Sequence, residues 1–209
     1  MRLLERLALH RPELRAWALY DVANSAMFVV VVTGVFPVFF RRTAAAGMEP
    51  REAEWIFGVA TTVAMGIVAC LAPVLGAWAD AGARKKRFLV GFALLGAAAC
   101  ASMFFIAPGQ WPLAAALFVL ANVGAAGSLV FYDALLPHVA RGDELDRLST
   151  AGYALGYLGG GALLALNLAW ILAPGRFGLP VGTPDAPLSP HAAALPARLA
   201  FVSVAVWWL

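Results

Sequence analysis

The stretch Gly76-Ala-Trp-Ala-Asp80-Ala-Gly-Ala-Arg84-Lys85-Lys86-Arg87 lies between two long apolar runs. Four adjacent cations are costly in hydrocarbon, because each raises the free energy of insertion by about 2.5–3.5 kcal/mol at the centre of a helix. We therefore expect this 76–87 segment to lie in water at a membrane face. The apolar runs on either side of it are then membrane spans.

The composition of the whole chain also favours a membrane protein. Of its 209 residues, 62% are hydrophobic and 13% are charged, whereas soluble domains are about 45–50% apolar and 25% charged. The net charge of +3 comes from Lys and Arg in loops between apolar runs. The positive-inside bias explains this pattern, so we expect membrane lipid and no nucleic acid as a partner. Cys70 and Cys100 lie inside apolar runs, which favours small core residues over a disulfide or a metal site.

Six apolar stretches predict an all-α, polytopic membrane protein, since about 20 apolar residues cross a bilayer as a helix. Residues 1–15 form an amphipathic lead, which we predict to be a helix on the cytoplasmic surface. Pro37 is expected to loosen the last turn of the first span. The last stretch has only 13 residues, so we expect the chain to end inside a truncated sixth helix. The predicted spans are residues 16–40, 55–79, 88–107, 112–136, 148–172 and 197–209.

Cations are divided unevenly between the two sets of loops. Ten lie on the side of the amino terminus and the 76–87 segment, and five lie on the other side. Cytoplasmic loops carry the excess of Lys and Arg in membrane proteins. We therefore expect a multi-pass protein of the cell (inner) membrane with a cytoplasmic amino terminus.

Two carboxylates lie inside the predicted spans, Asp21 near the start of the first and Asp133 near the end of the fourth. Because odd and even spans run in opposite directions, both are expected at a similar depth on the cytoplasmic side. Ionisable groups inside spans usually face a water-filled cavity or a partner. We predict either that they bind a solute ammonium group or a proton, or that they are interfacial groups bonded to backbone and headgroup water.

Further polar side chains accompany these carboxylates. Tyr20 and Asn24 are one helical turn apart, as are Asp21 and Ser25, so the four form a narrow polar face. Each buried amide is predicted either to contact the solute or to hydrogen-bond a neighbouring helix. This alternative applies to Asn122, which falls near the face of Asp133, and to Asn167 on the fifth span.

Small residues recur at four-residue steps on the fifth span, at Gly152, Gly156 and Gly160. Glycines at this spacing let two helices approach closely in lipid. We predict a packing seam along which two helix bundles rock against each other. Tyr153 and Tyr157 flank the seam and either line a cavity or fill the interface.

Three separated motifs give the chain a resemblance to a known family. Gly76-x-x-x-Asp80 followed by Arg84-Lys85 resembles the signature loop of major facilitator transporters. Residues 17–25 (Trp-Ala-Leu-Tyr-Asp-Val-Ala-Asn-Ser) and 152–161 (Gly-Tyr-Ala-Leu-Gly-Tyr-Leu-Gly-Gly-Gly) are similar to the vacuole effluxer branch of that superfamily, which includes fungal amino-acid effluxers. The resemblance implies the amino-terminal six-helix bundle of a twelve-helix protein, with a carboxyl-terminal half as its partner.

The resemblance also implies a mechanism. A small polar solute, with an amino acid as the family-based expectation, would pass a cavity lined by the first and fourth helices, with or without proton coupling. Gly76, Asp80, Arg84 and Lys85 would gate its cytoplasmic side. Ala81 replaces the basic residue usual after the loop aspartate, and the fifth helix lacks the proline of the antiporter signature. These departures argue against drug export.

The sequence lacks the common motifs of enzymes. The sequence has no phosphate-binding glycine loop, no His-Glu-x-x-His and no nucleophile elbow. His10, His138 and His191 lie in or beside loops, so we expect neither an enzyme nor a cofactor. A six-helix protein that acts as a homodimeric pore or as a non-transporting receptor is the alternative, and the gene beyond residue 209 would distinguish it.

Overall fold

Six long helices dominate the computed structural model, which describes residues 2–81 and 84–209, except for the side chains of residues 2, 3 and 79–81. Five of them are long and apolar enough to cross a membrane, and the sixth is a shorter apolar helix. The predicted fold class, an all-α polytopic membrane protein, is confirmed. The six are α1 (Pro12–Ala44), α2 (Pro50–Ala81), α3 (Lys85–Ser102), α4 (Trp111–Asp133), α5 (Glu144–Leu172) and α6 (Leu195–Trp208).

Each of the six helices begins before the span predicted for it. Hydropathy marks only the apolar part of a helix, whereas the backbone hydrogen bonds continue into polar residues at the membrane surface. Proline lies in the first turn of α1, α4 and α6, where its missing N–H leaves no hydrogen bond unmade. Shorter helical segments cover Arg2–Arg6, Met103–Phe105, Leu136–Val139, Pro174–Phe177 and Pro190–Ala193.

Successive long helices run in opposite directions. The end of the bundle at which α1, α3 and α5 begin is called the N-terminal end here, and the other end is called the distal end. The principal packing pairs are α3 with α4, α1 with α5 and α2 with α4, while α6 packs against α3. Towards the distal end the core is aromatic, with Phe36 stacked on Phe118 at 4.6 Å between ring centroids and Phe39 edge-on to Phe201.

The first helix is not a regular α-helix. Its backbone follows the wider π geometry over Met27–Val35 and again over Phe40–Ala44, and the Phe36 N–H donates to the carbonyl of Val31, five residues back. Pro37 lies in the short α-helical turn between the two π segments. The sequence predicted a disturbance of the last turn alone, which was too narrow, because the first π segment begins well before the proline.

The amino-terminal lead differs from the single surface helix predicted for it. A helix covers Arg2–Arg6, and the chain then turns at Ala8, whose φ is 52°. Pro12 begins α1, since a proline is accommodated at the first position of a helix and not in its interior. Leu14 is fully buried and packs with Leu148 at the start of α5. The lead is therefore folded against the bundle.

A polar contact also ties the lead to the connection between α4 and α5. Arg11 Nη2 donates to Glu144 Oε2 at 2.7 Å and to the carbonyl of Val139 at 3.0 Å. His10 Nε2 lies 3.4 Å from the other oxygen of Glu144. These contacts close the N-terminal end of the bundle around the start of α1.

Candidate functional site

A cavity of about 130 Å³ lies between α1, α4 and α5 near the N-terminal end of the bundle. Its position follows from helix direction, because the start of α1, the end of α4 and the start of α5 meet there. It is lined by Asp21, Asn24, Ser25, Phe28, Val29, Leu129, Tyr132, Asp133, Tyr153 and Tyr157.

Larger grooves lie elsewhere, but no carboxylate is among the described residues that line them. A groove of about 770 Å³ between α5 and α6 presents aromatic and aliphatic side chains, with Ser203 as its one hydroxyl. A distal groove of about 540 Å³ has Arg42 and Thr43 at its edge and apolar side chains elsewhere. The smaller cavity is the candidate site because it holds Asp21 and Asp133, the two carboxylates that lie inside the predicted spans.

Asp21 is the buried acid of this cavity. Its side chain is 6% exposed, and within the described part of the chain no hydrogen bond or ion pair reaches its carboxylate. The space for the carboxylate comes from α5, since a Cβ added to Gly156 would lie 3.0 Å from Asp21 Oδ2. A buried ionisable group without a protein partner is costly inside a membrane. It therefore marks a place where a proton, water or a solute is expected.

Asp133 lies at the mouth of the same cavity, as the last residue of α4, and is exposed. The neighbouring carbonyl of Ala134 accepts a hydrogen bond from Lys85 Nζ at 3.3 Å. A lysine at this position interacts favourably with the negative end of the helix dipole. Lys85, the first residue of α3, thus links the 76–87 segment to the helix end that carries Asp133.

Aromatic rings form one wall of the cavity. The Trp17 ring stacks on the Tyr132 ring, with centroids 4.1 Å apart, and Trp17 Nε1 donates to the carbonyl of Tyr132 at 3.2 Å. The Tyr132 hydroxyl is buried without a hydrogen-bond partner among the described residues. Tyr153 and Tyr157 line the open side and are 60% and 70% exposed.

The structure brings only some of the predicted polar residues to this cavity. Asn24 lines it with Asp21 and Asp133, and Ser128 Oγ of α4 lies 3.5 Å from Asn24 Oδ1. Tyr20 is behind the wall, with its ring 5.2 Å from that of Tyr132 and its hydroxyl buried without a partner among the residues described.

Asn122 and Asn167 lie away from the cavity. Asn122 Nδ2 donates to the carbonyl of Phe118 in its own helix at 2.8 Å, and Asn167 Oδ1 accepts from Ser203 Oγ of α6 at 2.9 Å. Asn167 thus joins α5 to α6, which is the structural alternative stated for it above. Asn122 satisfies its donor within α4 and does not reach a second helix.

The glycine seam on α5 faces a different partner from the one predicted. A Cβ added to Gly152 would meet the Trp17 ring, one on Gly156 would meet Ser25 Oγ, and one on Gly160 would meet Val29, all on α1. The seam therefore lies inside this bundle and not between two bundles. The periodicity identified a close packing face, but it could not identify the helix on the other side.

The proposed gating residues are described in part. Gly76 lies within α2, and no atom is within 4 Å of a Cβ added to it. Arg84 is exposed, and Lys85 makes the bond to Ala134. The side chain of Asp80 lies outside the described residues, so the predicted latch stays a prediction.

Sequence reasoning missed several residues of the cavity wall. Ser25 was identified only as a neighbour of Asp21 on the helix face, and Phe28, Val29, Leu129 and Tyr132 were not identified at all. A weak signal was present, because Tyr132 directly precedes Asp133 and Phe28 lies two turns after Asp21.

Residues 56–209 match the sequence profile of a family described as vacuole effluxer Atg22 like. The chain belongs to this family. It is 33% identical over 194 residues to an uncharacterized MFS-type transporter, YxiO, of Bacillus subtilis (strain 168), a match that covers 92% of this chain and 43% of the relative. It is 39% identical over 69 residues to autophagy-related protein 22 of Coccidioides immitis (strain RS), which covers 33% of this chain and 11% of that relative.

The predicted resemblance to vacuole effluxers of the major facilitator type is thus confirmed. The chain spans less than half the length of the curated relatives it matches. No solved structure matches the chain.

Proposed function

We propose that this chain forms the amino-terminal bundle of a secondary transporter that moves a small polar solute across the cell membrane by alternating access. The unpartnered Asp21 carboxylate, in a cavity between three membrane helices, carries this proposal. Such a group is retained inside a membrane protein where protons or polar solutes pass it. Membership of the effluxer family supports the proposal, and an amino acid is the solute class that the resemblance implies.

A second helix bundle is the proposed partner. On α2, nothing lies within 4 Å of a Cβ added to Gly58, Gly66 or Gly76, and on α5 the side chains of Tyr153 and Tyr157 are exposed. Small residues favour close approach of another helix in lipid. We assign this face to a carboxyl-terminal six-helix bundle. A homodimeric pore would use the same face and is the alternative.

Alternating access requires a gate, which we assign to Gly76, Asp80, Arg84 and Lys85 at the N-terminal end. The hydrogen bond of Lys85 to Ala134 supports this assignment, because it couples the start of α3 to the residue next to Asp133. In the complete protein, Asp80→Ala should increase labelling of a cysteine placed at Tyr157 by a water-soluble maleimide added from the cytoplasmic side. Lys86→Ala is the control, and unchanged labelling in Asp80→Ala would contradict the gate.

Counterflow in proteoliposomes tests the function itself. The complete protein, as encoded by its gene, is reconstituted with an unlabelled amino acid inside, and uptake of the same labelled amino acid is followed. We expect saturable counterflow for at least one amino acid, because alternating access exchanges solute across the membrane. Folded protein that shows no counterflow for any amino acid would contradict amino-acid transport and favour the receptor alternative.

A further inference from the structure

The charged groups that line the candidate cavity are all acidic, so they favour a positively charged ligand over a negatively charged one. Its ten lining residues include two carboxylates, those of Asp21 and Asp133, and no Lys, Arg or His. Its remaining polar groups are the Asn24 amide and the hydroxyls of Ser25 and three tyrosines. An anionic group placed here would be repelled by the carboxylates, and a cationic group would be attracted by them.

Asp21 differs from Arg198, which is the other buried charged side chain of the described structure. Arg198 is 1% exposed, and its two terminal nitrogens donate to the carbonyl of Ile106 and to the ring of His191, although its Nε has no hydrogen-bond partner among the described residues. No comparable partner reaches Asp21 from the described residues, although the carboxylate borders an open space. The space in front of Asp21 is therefore where a positively charged or hydrogen-donating partner is needed.

Four aromatic rings line the cavity, together with the aliphatic side chains of Val29 and Leu129. Tyr153 and Tyr157, one turn apart on α5, lie on the open side, and Phe28 and Tyr132 lie across from them. A ring face attracts an organic cation by about 0.5–2 kcal/mol. Carboxylates combined with several rings are the groups that recognise an alkylated ammonium, whereas a small inorganic cation would use the oxygen atoms alone.

We propose that this cavity binds the ammonium end of an organic amine, with Asp21 as its counter-ion and the tyrosine rings against its first carbon atoms. This inference rests on the proposed function, since it names the chemical class of the transported solute. The cavity of about 130 Å³ is smaller than the roughly 300–1,000 Å³ of a complete small-molecule pocket. It holds one end of the solute, and any carboxylate of that solute lies outside it, beyond Tyr153 and Tyr157.

Three four-carbon probes and a salt control test the inference on the complete protein in detergent. They are n-butylammonium chloride, n-butanol, sodium butyrate and sodium chloride, compared at equal ionic strength by thermal unfolding and by calorimetric titration. A ligand that binds the native state raises its unfolding temperature. We expect stabilisation by n-butylammonium alone, and about tenfold or greater loss of its affinity in Asp21→Asn, because a charged hydrogen bond is removed.

Substitutions at two further positions keep the test independent of folding defects at Asp21. Tyr157→Ala removes a ring from the cavity wall and should bind n-butylammonium more weakly, whereas Tyr157→Phe keeps the ring and should retain the affinity. Asp185→Asn, in the exposed loop before α6, changes the net charge equally and should leave binding unchanged.

The outcomes separate this inference from the proposed function. Equal stabilisation by sodium chloride, or none by n-butylammonium in protein that still shows amino-acid counterflow, would overturn the amine site and leave transport intact. Binding of n-butylammonium that depends on Asp21, in protein without counterflow of any amino acid, would support the amine site and contradict amino-acid transport.

Discussion

Asp21 is the residue on which the site depends. A carboxylate that is 6% exposed and lacks a partner in the described chain lowers the stability of the fold. Such groups are found inside membrane proteins mainly at functional positions. Asp133 shares the cavity but is exposed at its mouth, so its charge is retained at less cost. We therefore expect the two acids to respond unequally to substitution.

Asp21→Asn should abolish transport by the complete protein or uncouple it from a proton gradient, because the amide keeps the size of the side chain and removes its charge. The measurement is solute flux into proteoliposomes with and without a pH gradient. Asp185→Asn serves as the control and should transport normally. Unchanged flux and unchanged pH dependence in Asp21→Asn would instead assign Asp21 to the membrane interface.

Gly156→Ala tests the space that α5 leaves for the Asp21 carboxylate. The added Cβ would lie 2.5 Å from Ser25 Oγ and 3.0 Å from Asp21 Oδ2, so these two side chains, or α5 itself, have to shift. We expect a loss of about 1–3 kcal/mol of stability, seen as a lower unfolding temperature in detergent, together with reduced flux.

Gly161→Ala on the same helix is the matched control for this substitution. No atom lies within 4 Å of a Cβ added at Gly161. Removal of a helical glycine there should be neutral or stabilising by up to about 1 kcal/mol. An equal loss of stability in both variants would show that the contact with α1 does not explain the effect of Gly156→Ala.

Among the helices, α3 and α4 cross closely in this structure. A Cβ on Gly124 would overlap the backbone of Gly96 and lie 2.8 Å from the carbonyl oxygen of Phe92. Backbone atoms cannot move aside as a flexible side chain can. This crossing places α4, and with it Tyr132 and Asp133, relative to the rest of the bundle.

Gly124→Ala should therefore separate α3 from α4 and destabilise the protein by about 1–3 kcal/mol or more, measured as a lower unfolding temperature. Gly91→Ala on α3 replaces a helical glycine with open space around it and should not lower the unfolding temperature. Normal stability of Gly124→Ala would show that the two helices do not approach as closely as described.

The two π segments of α1 are a further feature of a single helix that bears on function. Wide turns of this kind are often found at functional sites, and Met27–Val35 follows directly after the part of α1 that carries Asp21, Asn24 and Ser25. Hydropathy and residue type do not report this geometry, because Met27–Val35 is almost entirely apolar and therefore has no periodicity that would distinguish a π turn from an α turn.

For the molecule as a whole, a crosslink from the open face of α2 would distinguish the single-chain assembly of two bundles from the homodimer. A cysteine at Gly66, in the complete protein lacking all other cysteines, is coupled to a photoreactive benzophenone and irradiated in membranes. Because no described atom of another helix lies within 4 Å of a Cβ added at that position, the crosslink should join α2 to a second bundle of the same chain, and the product should keep the mass of a monomer.

A product with the mass of a dimer would contradict the single-chain assembly and favour the homodimeric alternative. The control is a cysteine at Val90 on α3, where the side chain is 51% exposed and is expected to face lipid. It should give little crosslinked protein in either assembly.

The sequence by itself determined the membrane class, the number of helices and the family. Hydropathy, loop charge and three motifs are local along the chain, so they can be recognised without knowledge of the fold. Chain direction alone also placed Asp21 and Asp133 towards the same end, because alternate spans run in opposite directions.

Only the tertiary structure decided which of these residues meet. It placed Asn24 with the two acids, directed Asn122 and Asn167 elsewhere, and turned the glycine seam of α5 towards α1. It also folded the lead against the start of α5. The physical reason is that the sequence does not fix the rotation of each helix about its own axis. Periodicity shows which residues share a helix face, whereas the partner of that face is set by packing between segments that are far apart in the chain.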